Sequence, residues 1–159
     1  MITDDKLQSA MNEAKILGYF KTFYEKYGEV ASKQKLRNIF SRVWNKENVV
    51  KNLFSNEFNI KLSDSEAGRI ELLIEAFLKK STFRKPITRN EKLILLKKQQ
   101  FQCSFCGRKI DLSSHADHII PFKFVGDELE DNLQMLCEHC NSSKNASLDY
   151  EIRFLLHTI

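Results

Sequence analysis

The stretch that runs from CSFC (103–106) through HADHIIP (115–121) to EDNLQMLCEHCNSSK (130–144) decides how this chain folds. Cys103, Cys106, Cys137 and Cys140 form two C-x-x-C pairs, and all four cysteines of the chain lie in that one segment. Their spacing fits metal chelation better than a disulfide framework. Four thiolates complete the tetrahedron of a Zn²⁺ ion and leave no open position, so the predicted site is structural and not catalytic. Iron in the same four thiolates and a redox C-x-x-C are the competing uses of the pattern. The gap between the pairs exceeds the roughly 15 to 20 residues of a simple ribbon, so something is inserted between them.

Outward from this segment the patterning is helical. Leu7, Met11, Ala14, Leu17, Phe20, Tyr24 and Tyr27 recur at the spacing of one buried helix face, with Gly28 as a stop. A second face uses Leu36, Ile39, Phe40, Val43 and Trp44, and a short apolar stretch follows at Val49, Val50, Leu53 and Phe54. Ser63 with Glu66, and Thr88 with Glu91, have capping-box spacing and predict two further helix starts. Apolar segments around Ile119 and over 133–136 are strand-sized and predict an irregular hairpin. Helix returns from Glu138, and a closing helix from Leu148 to Ile159 is expected to turn Tyr150, Ile152, Leu155 and Leu156 inward. The polar stretch STFRKP (81–86) marks a boundary. The expected organisation is an α+β chain with a helical module at 1–85 and a zinc-stapled unit at 86–159.

The 159 residues carry a net charge of +4, unevenly placed. Residues 1–85 hold 16 Lys/Arg against 11 Asp/Glu, whereas 86–159 hold 9 against 10. A nearly neutral C-terminal half would need the other half to help hold a polyanion. Two acids near the N-terminus and the lack of a long apolar run point away from a secretory signal and a membrane span, so a cytoplasmic location is expected.

Between and after the cysteines stands a second set of ligands. Asp117 and His118 are neighbours, and on an extended strand their side chains project to opposite faces. Asp117 suits a hard divalent cation, and His118, with an ordinary pKa of about 6.5, suits a general base. Asn141, just past the last cysteine, can offer an amide oxygen to the same cation. Carboxylate, amide and water oxygens favour Mg²⁺ or Mn²⁺ over a second zinc.

In HADHIIP, the GDELEDNLQMLC run and EHCNSSK, in that order, the chain resembles the HNH endonuclease family, in the subgroup with a four-cysteine zinc site, over residues 86–147. The resemblance implies a ββα-metal fold and metal-dependent hydrolysis of a phosphodiester bond, with 5′-phosphate products. It implies that His118 is the general base, that Asn132 pins the loop and orients His118 through its backbone carbonyl, and that Asn141 is the third letter of the motif. It also makes Asp117 the acidic ligand and puts Lys144 where a basic residue contacts phosphate. The family's loop glycine pair is Gly126-Asp127 here. DNA is the expected substrate, with RNA open, and restriction or antiviral defence is the setting the family suggests. The N-terminal helices are expected to bind DNA, form a homodimer or dock on a partner protein. The rival reading is a non-catalytic zinc module that binds nucleic acid or protein.

Other residues are expected to be ordinary. His115, His139 and His157 are expected outside the chemistry, and Arg108, Lys109 and Lys123 are candidate phosphate contacts. Trp44, Tyr19, Tyr24, Tyr27 and the N-terminal phenylalanines are expected in the core. Lys33, Lys35, Arg37 and Arg42 concentrate charge around the second helix as a weak DNA-contact candidate.

Overall fold

The computed structural model describes residues 3–157 as a mixed α+β arrangement. In chain order it contains α1 (Asp4–Tyr27), α2 (Val30–Ser41), α3 (Lys46–Phe58), α4 (Asp64–Lys79), α5 (Arg89–Lys98), β1 (His115–His118), α6 (Phe122–Val125), β2 (Leu133–Leu136), α7 (Glu138–Lys144) and α8 (Leu148–His157). Ile159, the expected end of the closing helix, lies outside the described residues. No described helix is long and apolar enough to cross a membrane.

Local chemistry sets the helix starts. Ser63 Oγ accepts from the Glu66 N–H at 3.1 Å while Glu66 Oε1 accepts from the Ser63 N–H at 3.2 Å. Thr88 and Glu91 repeat the exchange at the head of α5. Each box satisfies backbone donors that the first turn leaves unpaired. The apolar stretch around Val50 is a full helix, opened by Asn45, whose side chain accepts from the Asn48 N–H, and closed by Asn59 in the left-handed conformation.

Two cores result. In the larger, Phe20 and Phe23 of α1, Phe54 of α3 and Phe77 of α4 are fully buried, and the Phe23 and Phe77 rings meet edge-on at 5.8 Å. Each such ring contributes about 1.5 to 3 kcal/mol by leaving water. Leu36 and Phe40 of α2 join this core, but so do Ile120, Phe124 and Val125 after β1, and Leu148 of α8. The smaller core gathers Leu96, Ile110, Met135 and Leu136 around the cysteines. The larger core therefore draws residues from both sides of position 85, including α6 and part of α8.

Several expected core residues are exposed. α2 ends at Ser41 with Arg42 as its cap, so Trp44 falls on the turn before α3 and is fully exposed. Ile39 sits at the outer edge of the Leu36–Phe40 stripe, and on α1 burial begins only at Ala14, which leaves Met11 in solvent. On α8 the fully buried positions are Leu148 and Glu151, while Leu156 is exposed. Tyr150 and Phe154 turn instead towards Phe105 of the cysteine knuckle, at 5.3 and 4.4 Å between ring centres.

Two of the four basic residues around α2 serve the fold. Lys33 Nζ lies 4.7 Å over the Phe77 ring, and Arg37 donates to the Leu78 carbonyl at 2.7 Å. That carbonyl belongs to the unpaired last turn of α4. Lys35 and Arg42 remain exposed.

The hairpin is antiparallel, with His115 opposite Leu136, Ala116 opposite Met135, Asp117 opposite Gln134 and His118 opposite Leu133. Its long connection carries α6, which inserts into the large core, and α7 follows β2 directly. This is the ββα unit.

Candidate active site and metal centre

The four cysteine sulfurs lie within 4.8 Å of one another, and Cys106 Sγ is 3.7 Å from Cys137 Sγ. Four sulfurs around zinc at about 2.3 Å stand about 3.8 Å apart, so the set fits that ion. Cys103 leads into a tight turn in which the Gly107 N–H donates to the Cys103 carbonyl at 3.0 Å and Gly107 takes φ +69°. Backbone donors already favour thiolate here: the Cys137 N–H points at Cys103 Sγ and the Cys140 N–H at Cys137 Sγ, both at 3.4 Å. Burial pushes the Cys103 thiol up, but N–H groups of Cys106, Cys137 and Phe105 outweigh it and bring the thiol down to about 7. Burial and the crowding of the other three sulfurs push Cys140 upward, a strain that a bound dication relieves.

Beside this centre opens a polar cleft of about 480 Å³, lined among others by Arg84, Asp117, His118, Lys123 and Asn141. The strand places His118, and the first turn of α7 places Asn141. His118 is 2 % exposed, and its ring is held at both nitrogens. Nε2 lies 2.7 Å from Asp127 Oδ1, and Nδ1 lies 3.1 Å from Arg84 Nη2. A carboxylate only accepts and a guanidinium only donates, so the proton belongs on Nε2 and the lone pair on Nδ1. Asp127 is fixed by the Lys85 N–H, which donates to Oδ2 at 2.8 Å. Burial pushes the Asp127 carboxyl up, yet the bonds from Lys85 and His118 prevail and hold it below the ordinary value. Gly126 has φ +60° at this point, and a Cβ there would lie 2.8 Å from Lys80 Cβ. Only glycine lets the loop pass the end of α4 and deliver Asp127 to the ring.

Asp117 is half-buried and accepts on Oδ2 from Lys144 Nζ at 2.6 Å and from Gln134 at 3.5 Å. Lys144 also donates to the His118 carbonyl. Neither Asp117 Oδ1 nor the Asn141 amide has a hydrogen-bond partner among the described residues. Two hard oxygens facing one polar cleft fit a Mg²⁺ or Mn²⁺ ion whose remaining positions are filled by water and substrate. Behind them Glu151 of α8 is buried with Oε2 unpaired. Burial, then the Asp117 charge, push its carboxyl up to about 7 against the pull of Lys144 and Gln134.

The structure brings Asp117, His118 and Asn141 to one cleft although Asp117 and His118 alternate along β1. Asn132 is buried, but its side chain clamps Ile120 through both backbone groups, at 2.8 and 2.9 Å, and its carbonyl accepts from the Ile119 N–H. The partner on the His118 ring is Asp127 instead. Lys144, expected at a phosphate, is 1 % exposed and engaged with Asp117, because α7 turns it inward against β1. His115 and His139 are exposed and do not line the cleft, whereas Lys123 does. Sequence reading missed Arg84, Asp127 and Glu151. Only Asp127, next to the loop glycine, carried a local signal.

A comparison with curated proteins and with solved structures returned no match. Against family models, the description "HNH endonuclease" matches residues 103–147, the interval that holds both cysteine pairs, the hairpin and α7. Residues 103–147 of this chain form a domain of the HNH endonuclease family.

Proposed function

We propose that this protein is a divalent-metal-dependent endonuclease that hydrolyses phosphodiester bonds of DNA, with His118 as general base. The observation that carries the reading is the His118 ring, which lines one cleft with Asp117 and Asn141, with Nε2 against the Asp127 carboxylate and Nδ1 left as the ring's acceptor beside Arg84. Nδ1 takes a proton from the attacking water, and the Asp127 carboxylate steadies the ring as it becomes positive. Asn132 fixes the 119–120 backbone and so the end of the strand that bears His118. Lys144 keeps Asp117 oriented and partly neutralised from behind. Asp117 and Asn141 would hold a Mg²⁺ or Mn²⁺ ion, which would supply positive charge to the developing phosphoryl transition state. The four cysteines would hold Zn²⁺ as a brace. The helical module and the exposed Lys35, Arg42 and Lys123 supply backbone contacts to DNA, and restriction or antiviral defence is the setting that family membership favours.

The test is cleavage of plasmid DNA with Mg²⁺ or Mn²⁺ by wild type and by His118→Ala. Loss of the base is expected to slow single-turnover cleavage on the order of 10² to 10⁴-fold. One observation favours a second reading, a zinc module that binds without cutting: Lys144 already sits on the carboxylate that would hold the cation. Equal inactivity of both proteins, with DNA still bound and no manganese between Asp117 and Asn141 in soaked crystals, would favour that alternative.

A further inference from the structure

The segment between α4 and α5 crosses directly over the reacting histidine. Its backbone is pinned, since the Lys85 N–H donates to Asp127, but Arg84 itself is exposed. The Arg84 guanidinium rests on His118 Nδ1 at 3.1 Å and over the Phe122 ring at 5.5 Å. Nδ1 has a single lone pair. While Arg84 donates to it, it cannot accept a proton from water.

We propose that Arg84 is a phosphate-released latch: in the free protein its guanidinium masks the His118 base, and a backbone phosphate of the bound nucleic acid draws it away and unmasks Nδ1. This rests on His118 being the base of the proposed nuclease. The exchange is favourable because a neutral imidazole offers the guanidinium one acceptor, whereas a phosphate offers a charge-assisted and often bidentate pair. The side chain leaves a polar cleft for another position in the same cleft, with Lys123 on its rim to attract the incoming anion. Binding and base activation then become one event. The free protein is kept from using its base on water until a phosphodiester is in place.

The ring nitrogens report this directly. In ¹⁵N spectra of the zinc-loaded protein without Mg²⁺ or Mn²⁺, so that nothing is cleaved, His118 Nδ1 should resonate as a hydrogen-bonded imine. Arg84→Ala should move it downfield, towards the free imine. Adding a short DNA duplex should move the wild-type signal in the same direction and leave the Arg84→Ala signal where it is. In the same buffer Arg84→Ala should weaken DNA binding on the order of tenfold and lower the salt slope by about 0.9, the value of one phosphate contact. Arg84→Lys, which keeps the charge but not the fork, should recover part of the affinity. A wild-type Nδ1 signal unmoved by bound DNA, or identical in Arg84→Ala, overturns the latch. Failure of the nuclease reading appears elsewhere, in the cleavage comparison of wild type with His118→Ala, on which these spectra do not depend.

Discussion

The two cores of this molecule are held by different physics. The helical core stacks four fully buried phenylalanines with aliphatic side chains from α1 to α4, so its stability is spread over many contacts. Besides the thiols, the cysteine-side core buries Leu96, Ile110, Met135 and Leu136, with Leu95, Phe105, Leu112 and Ala116 partly buried against it. A unit that small seldom draws more than roughly 3 to 5 kcal/mol from its own packing. Structural zinc supplies on the order of 10 kcal/mol of coupled folding energy. The cleft lies between the two cores: β1 and α7 come from the cysteine side, while Phe122 and Lys123 line it from α6, whose Phe124 and Val125 belong to the helical core. In the proposed nuclease, bracing and chemistry therefore fall in separate places, and the cleft is complete only when both cores are formed.

The largest effect that can break this contrast is metal removal. Stripping zinc with a strong chelator is expected to release amide-hydrogen protection over 103–147 while α1, α3 and α4 stay protected, as read by exchange mass spectrometry. Uniform loss, or none, would mean that the two cores do not differ as described. Next comes Asp127→Asn. An amide that presents its NH₂ to Nε2 favours the tautomer with the proton on Nδ1, so kcat should fall on the order of 10²-fold or more, with DNA affinity little changed.

Smaller is the contribution of Glu151, which α8 carries between the cores. Its carboxyl sits at about 7 when folded against an ordinary 4.5, so between those values the native state keeps a proton that the unfolded chain has lost. Stability therefore falls as pH rises through that window. Glu151→Gln should flatten the decline and stabilise the protein at pH 8 by roughly 1 to 3 kcal/mol, measured by urea unfolding at several pH values. The smallest effect is expected at the exposed Lys21–Asp149 pair between α1 and α8, 2.7 Å apart. Lys21→Ala should change stability by less than about 1 kcal/mol, because packing and not surface charge holds these helices together.

What the sequence made legible was local. Both capping boxes, the C-x-x-C pairs and the strand at 133–136 depend on residues within a few positions of one another and are found where the spacing placed them, whereas the first strand is His115–His118 and stops just short of Ile119, the centre of the expected segment. Trp44 misled because the apolar period runs on past Ser41, where the helix itself stops. Arg84 and Asp127 are ordinary polar residues in a linker and a loop. Asp127 carried only the hint of its loop glycine and Arg84 none, because the Arg84–His118 contact spans 34 positions and no spacing encodes it. Glu151 reads as a solvated helix glutamate until α1 and α8 pack and close it off from water.

The central claim is that the ion that braces and the ion that cuts occupy different places. Crystals of the protein bound to DNA, soaked in Mn²⁺, test it through anomalous scattering at the zinc and manganese edges. The account predicts zinc among Cys103, Cys106, Cys137 and Cys140, and manganese between Asp117 and Asn141 within reach of the scissile phosphate. Manganese absent from that pair, with Lys144 still bonded to Asp117, would contradict it.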